Sequence, residues 1–383
     1  MKFSHLADCH IGGWKEEKLR ELSLDALKKA IDMSIEEVVD FVVISGDLFD
    51  SALPPIEMIK EVARQIKRLK DKEINCYVIA GSHDFSLSGK TMLKVFEEAG
   101  LVQDLVKFEE NRLNFTIDKC GIKLVGMWGK KAGLEIEDYK TLNKEKLEKE
   151  DGFKIFVFHT AIDEFKPDPN IKGINCYDLP KGFDYYAGGH VHYVCDINKK
   201  DYGRIVYPGA LFPNNFKELW DFEGGGFYIV KINGEISLEY KEIKLKEIEK
   251  KEIDVNEKSI EQIRNELLAI NNLKDKILLL RFKGVLNGKI SDLKLNEFQF
   301  KNTFLVLKNT SQLKNKEFEK LTIKPEENIE EELISEYSKD IKLKDIILEL
   351  MIALDKEKED GEKNVDFEER ILKDVRKIFI KDK

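Results

Sequence analysis

Phe41-Val42-Val43-Ile44-Ser45-Gly46-Asp47 is an apolar run of strand length that stops at a small residue and a carboxylate. A short continuous apolar run closed by a turn signal reads as a strand buried on both faces. Toward the N-terminus, Lys2 to Ala7 reads as another short strand. Leu19 to Val39 reads as a helix, because Leu27, Ala30, Ile31 and Val38 recur at helical spacing. Toward the C-terminus, Pro54-Pro55 opens a second helix to about Lys70, where proline in the first turn is well tolerated, and Asn75 to Ala80 returns as a strand. The result is a β-α-β-α-β alternation.

Further strands are predicted at Lys123 to Met127, Lys154 to His159, Tyr185 to Gly188, Arg204 to Tyr207 and Gly226 to Ile232. The expected class is α/β, with two sheets packed face to face and helices outside. Near residue 235 the character changes to Lys/Glu-rich segments, so residues 1–235 are expected to form one domain and 236–322 a smaller α+β capping domain. Residues 323–383 begin as an acidic linker and end in two amphipathic helices. The first carries Leu343, Ile346, Ile347, Leu350, Met351 and Leu354 on one stripe, the second Phe367, Ile371, Val375 and Ile378.

Net charge is −9 over 383 residues, which argues against coating nucleic acid by bulk positive charge. Any DNA contact has to come from local basic patches, metal ions or a partner. The five cysteines form no CxxC pair, so neither a zinc ribbon nor a disulfide framework is indicated, and a reduced cytoplasmic compartment is expected. The N-terminus does not read as a signal peptide and no apolar run approaches bilayer-spanning length, so neither secretion nor membrane insertion is expected.

The histidines carry most of the functional information. Of the six, His10, His83, His159, His190 and His192 sit at or just after the C-terminal end of a predicted strand. Small residues or carboxylates stand beside most of them, as in Asp8-Cys9-His10, Gly81-Ser82-His83-Asp84 and Gly189-His190-Val191-His192, and Gly46-Asp47 ends a strand in the same way. Loops beyond the carboxyl ends of strands in open α/β sheets converge on one crevice, so these groups can meet and build a metal site. Imidazole with carboxylate suits manganese, iron or zinc, and a carboxylate such as Asp47 can bridge two cations that clamp a phosphate. Taken alone, His159 could equally be a satisfied core histidine and Asp47 a turn cap. His5, in the first strand, is as readily structural as a support for a metal ligand.

As an ordered set these motifs resemble the signature of calcineurin-like metallophosphoesterases. Their surroundings resemble the SbcD-type, meiotic-recombination-eleven repair nucleases: His5-Leu-Ala-Asp-Cys-His-Ile-Gly12, Ser45-Gly-Asp-Leu-Phe49, and Tyr207-Pro-Gly209 followed by Gly225-Gly-Phe227. The resemblance implies a two-sheet metallophosphoesterase sandwich and two divalent metal ions, manganese in the first instance. It implies that Asp8, His10, Asp47 and His192 hold one ion, and that Asp47, His159, His190 and the residue at 82 hold the other. His83 would act on the phosphate or the leaving oxygen, with Asp84 orienting its ring. Two departures stand out: Ser82 replaces the family asparagine, and Asp50 stands where the family commonly has histidine.

The function so implied is a DNA exonuclease and endonuclease acting at DNA ends, with an SMC-like SbcC-type ATPase bound through the C-terminal helices. A homodimer through the helices at Pro55 to Lys70 and Met92 to Ala99 goes with it. A small-nucleotide phosphodiesterase and a catalytically weakened scaffold subunit are the alternatives.

Overall fold

Alternate residues of a strand point to opposite faces, and in the computed structural model the central strands feed two separate cores. The structure describes residues 1–86, 91–109, 112–166, 171–298 and 300–315, with Leu350, Leu372, Lys373 and Val375. The two expected C-terminal helices therefore lie, but for Leu350, Leu372, Lys373 and Val375, outside the described residues.

The first sheet runs Glu235–Ile243, Gly225–Asn233, Lys2–Leu6, Phe41–Ile44, Asn75–Val78, Gln103–Asp104. Its last four strands are parallel, and Leu6, Ile44 and Val78 lie side by side at their carboxyl ends. Phe3, Phe41, Val43 and Tyr77 enter one core with Phe156, Phe158, Tyr185 and Ala187 of the second sheet, and Phe3 meets Tyr185 edge-on at 5.3 Å. The alternating partners Leu6, Val42, Ile44 and Val78 enter the other core. There they meet Leu27, Ala30 and Ile31 of helix Glu17–Glu36, and Val62, Ile66 and Leu69 of helix Ile56–Lys70. Both faces of this sheet are thus covered, which is why its central strands read as unbroken apolar runs.

The second sheet runs Val194–Lys199, Gly203–Pro208, Tyr185–Gly189, Lys154–His159, Lys123–Gly126, Thr116–Ile117. Its four inner strands are parallel, with His159 paired to Gly189 at their ends. The chain is therefore α/β with two mixed sheets, as expected. Past residue 235 the first sheet continues, because Glu235–Ile243 pairs with Gly225–Asn233 along its whole length. A third, three-stranded sheet follows, Ile248–Asp254, Ile277–Leu286 and Leu305–Asn315, with helix Ile260–Leu268.

The chain divides into two compact units, residues 1–284 with 291–313, and residues 285–290 with 314–383. The first holds every histidine. Among the described residues no helix is long and apolar enough to cross a membrane.

His5 occupies a position in the inter-sheet core that an apolar side chain would normally fill. Its Nδ1 lies 2.9 Å from the Tyr185 hydroxyl and its Nε2 2.9 Å from the Ser45 hydroxyl, so the ring ties the two sheets together just before the Gly46-Asp47 turn. Burial holds its pKa down to about 3, against the opposing effect of a backbone hydrogen bond at Gly188. Between the ordinary value of 6.5 and about 3, the unfolded chain binds a proton here that the native chain refuses. The stability His5 contributes is complete above 6.5 and is lost as pH falls toward 3. Wild type should therefore exceed His5→Gln in unfolding free energy at neutral pH, with the gap closing by up to about 1.4 kcal/mol per pH unit on acidification. Denaturant titrations across that range check this, and parallel pH profiles for the two proteins would refute it.

Candidate metal centre

The carboxyl ends of the parallel strands in both sheets open into one cleft, and the loops beyond them carry the histidines and carboxylates singled out from the sequence. Four of these residues, Asp8, His10, Asp47 and His190, have positive φ of 50°, 44°, 51° and 87°. Such backbone is uncommon for residues with a side chain and gathers where a site has to be aimed. Two glycines permit the closure. A Cβ on Gly189 would fall 2.0 Å from the Ser45 carbonyl oxygen, and one on Gly81 2.3 Å from Asp47 Oδ1.

Asp8, His10 and His192 form one convergent group. The Nε2 atoms of His10 and His192 stand 3.0 Å apart, and Asp8 Oδ1 lies 3.8 Å from His192 Nε2. The outer nitrogens are both committed to carboxylates: His10 Nδ1 lies 3.1 Å from Asp50 Oδ1, and His192 Nδ1 lies 2.9 Å from Glu218 Oε1. A carboxylate on the outer nitrogen holds a proton there and turns the inner nitrogen toward the group, which is the usual environment of a metal-ligating histidine. Burial pulls the His192 pKa down, but Glu218 and Asp8 outweigh it and raise it to about 9.

Asp8, Asp47 and His159 form a second group. His159 Nδ1 lies 2.8 Å from the Ser45 carbonyl oxygen, which can only accept, so Nδ1 carries the proton. The remaining His159 Nε2 is buried with no hydrogen-bond partner, although Asp47 Oδ2 stands 3.1 Å away. An unprotonated nitrogen facing a carboxylate oxygen in a buried site is stable only with positive charge between them, either a proton on Nε2 or a bound cation in its place. That pull is strong enough that, against its burial, Asp47 and Asp8 raise the His159 pKa to about 10. The same Asp47 Oδ2 lies 3.8 Å from His10 Nε2, so it faces both groups. The donor set, imidazole and carboxylate without thiolate, fits divalent cations of the manganese, iron and zinc kind.

The remaining expected residues surround these groups. The His190 amide donates to both Asp8 oxygens at 3.0 Å, and its ring meets that of His159 at 5.2 Å without joining either group. Burial and the neighbouring His159 hold its pKa down to about 3. Ser82 Oγ lies 3.3 Å from Asp47 Oδ2, and the His83 amide donates to Asp47 Oδ1 at 2.7 Å.

The ring of His83 stands at the mouth of the cleft, with Nδ1 3.0 Å from the Asp50 carbonyl oxygen and 3.3 Å from its carboxylate. Asp84, expected beside that ring, instead accepts hydrogen bonds from the Leu48 and Phe49 amides at 2.9 Å each. Burial, aided by the Asp47 charge, pushes its carboxyl up to about 8. Asp84 thus braces the Asp47 loop, and Asp50 takes the place beside His83.

Two participants were not foreseen as such. In the sequence Asp50 stands out only as a departure from the family, whereas it touches both His10 and His83. Glu218 left a purely local trace: Asn215 caps helix Phe216–Phe222 through the Glu218 amide, an N-x-x-E pattern that marks a helix start and says nothing of His192.

The model of the calcineurin-like phosphoesterase family matches residues 1–194, a span that includes every residue of both groups. The DNA double-strand break repair protein Mre11 of Methanococcus maripaludis is 29% identical over 294 residues, covering 73% of this chain and 77% of its own. Its namesake in Sulfurisphaera tokodaii is 30% identical over 296 residues, covering 74% of this chain and 73% of its own. Among solved structures, a dimetal phosphatase from Danio rerio is 11% identical at a TM-score of 0.45, covering 64% of this chain and 97% of its own. On the family match and these relatives, the chain belongs to the calcineurin-like phosphoesterases, hydrolases of phosphate esters, within their Mre11 branch.

Proposed function

We propose that this chain is a manganese-dependent DNA nuclease that cleaves as exonuclease and endonuclease at DNA ends. The observation that carries the reading is Asp47 Oδ2, 3.1 Å from His159 Nε2 and 3.8 Å from His10 Nε2. One carboxylate oxygen between two histidine groups is what a pair of cations sharing a ligand needs. In this reading Asp8, His10, Asp47 and His192 hold one ion, and Asp47, His159, His190 and Ser82 hold the other. When bound, the ions would draw charge from the phosphate oxygens and lower the pKa of an attacking water.

The protein's own part is orientation and proton handling. Asp50 and Glu218 fix the rings of His10 and His192 through their outer nitrogens. His83 Nδ1 faces the Asp50 carbonyl, which leaves Nε2 for the substrate, where it would stabilise the transition state or protonate the leaving oxygen. Asp84 keeps the loop bearing Asp47 in place.

Assembly follows the same reading. The nuclease domain, expected to end at 235, runs to Ile243 at the end of the first sheet's edge strand, the capping domain follows it to 322, and the C-terminal helices grip an SMC-like ATPase. Leu53, Ile56 and Val95, apolar and 69%, 77% and 55% exposed in or beside helices Ile56–Lys70 and Met92–Glu98, support a homodimer through those helices.

The direct test is hydrolysis of linear DNA and of a small phosphodiester by the purified chain with manganese, magnesium or chelator. Manganese-dependent DNA cleavage is expected, and activity confined to the small ester would refute the nuclease reading. His83→Ala should lose about 10²–10⁴-fold in rate with both metals retained, whereas Asp47→Ala should lose metal as well. Metal analysis showing an empty His83→Ala protein would contradict this division of roles.

Ser82, shorter than asparagine and turned toward Asp47, should leave the second ion loosely held. Ser82→Asn should then move the manganese activation curve to roughly 10-fold lower concentration or beyond, and coincident curves would show that serine suffices. Removing residues 335–383 should spare cleavage but end co-purification with an SMC-like ATPase, and undiminished binding by the truncated chain would overturn the tail assignment.

A further inference from the structure

The cleft in front of the metal centre has lining residues that the chemistry described so far does not use. About 490 Å³ in volume, it is lined by Ser82, His83 and His190 together with Lys130, Lys131 and Lys172, and Glu135 is the one carboxylate among its lining residues. A sequence scan for basic runs passes over this trio, because Lys172 is remote from the other two and comes beside them only in the fold.

The lysine-bearing loop is firmly placed. It leaves the second sheet at Gly129, where a Cβ would fall 2.4 Å from His159 Cδ2, and the Gly129 amide donates to the Ala80 carbonyl at 2.9 Å. The buried Glu135 carboxylate accepts from the Lys130 amide at 3.2 Å and from the Thr160 hydroxyl at 3.0 Å, tying the loop to the residue that follows His159. Gly133 completes the arrangement, since a Cβ there would press on Lys172 Cβ and Cδ at 3.4 and 3.3 Å. The Lys172 stem thus packs on the loop, and the residue lines the same cleft.

Charge is not balanced in that cleft. Lys130 is paired with Asp138, but among the described residues neither Lys131 nor Lys172 has an ion-pair partner. With Lys130 so paired, Lys131 and Lys172 stand against the single buried carboxylate of Glu135 in the described lining, and that excess of positive charge beside a reactive centre calls for anionic charge in the ligand beyond the ester being cleaved. In a protein of net charge −9 this local excess is a specific feature of the cleft and not a general surface property.

We propose that Lys131 and Lys172, with Lys130 as their fixed neighbour, form a subsite for the phosphates of a polynucleotide chain flanking the scissile one, on the His83 side of the centre. Such contacts position the strand without reading sequence. They also make a chain of phosphates a better substrate than an isolated diester, which has no second anion to offer. The inference rests on the nuclease reading and deepens it, by naming the residues that favour a polymer over a small ester.

The test compares full-length wild type, Lys131→Gln/Lys172→Gln and Lys131→Arg/Lys172→Arg, each with manganese. The readouts are kcat/KM for a single-stranded oligonucleotide and for bis(4-nitrophenyl) phosphate over a series of salt concentrations. In the glutamine variant the ratio of oligonucleotide to small-ester kcat/KM should fall about 10-fold or more. Its slope of log kcat/KM against log salt on the oligonucleotide should flatten by about 0.7 for each phosphate that is no longer neutralised. The arginine variant should restore both.

If wild type cleaves the oligonucleotide and the glutamine variant keeps the same ratio and slope, the subsite is refuted while the nuclease reading stands. If wild type cleaves the small ester but no oligonucleotide, the nuclease reading falls and this inference with it.

Discussion

Two carboxylates, Asp8 and Asp47, are almost wholly removed from water where the ends of two sheets meet, and their charge governs everything around them. An isolated buried carboxylate is costly, so it has to be paired, hydrogen-bonded or matched by a cation. Backbone amides answer part of that demand: His190 donates to Asp8 and His83 to Asp47. Placing those amides requires the left-handed turns at Asp8, Asp47 and His190, and the close approach that Gly81 and Gly189 allow. The rest of the demand falls on imidazole nitrogens and on the cations of the family's chemistry.

Orientation of the rings follows one rule. His159, His10 and His192 each commit an outer nitrogen, to the Ser45 carbonyl, Asp50 and Glu218 respectively, and each presents Nε2 to the carboxylates. The rings come from different sheets. His10 follows the first strand of the first sheet, whereas His159, His190 and His192 belong to the carboxyl ends of two strands in the second. The centre therefore exists only while the sheets are packed together, which links metal affinity to the integrity of the core behind it. His5, reaching from the first sheet to Tyr185, is part of that integrity.

Much of this is legible in the chain because strand-end punctuation is local. Gly46-Asp47 and Gly189-His190 each place a small residue and a donor immediately after an apolar run, and the structure puts both at the mouth of the cleft. The two-sheet α/β class is likewise written in Phe41 to Ile44, whose unbroken apolarity reflects cover on both faces. Long-range relations left no comparable trace. Glu218 reads as a capping residue, and Lys131 and Lys172 read as ordinary surface charge. The edge strand Glu235–Ile243 reads as a change of composition, because its solvent face carries ion pairs such as Lys231 with Glu239. Asp84 misled for a related reason: adjacency to His83 in sequence does not carry over to the loop, where the Leu48 and Phe49 amides capture it.

The central claim is that Asp47 sits between two cation sites and belongs to both. Anomalous diffraction from crystals grown with manganese tests it most directly. Two peaks about 3.5 to 4 Å apart are expected, one beside His10 and His192, one beside His159, with the Asp47 carboxylate between them. A single peak, or two peaks with Asp47 touching only one, would contradict it.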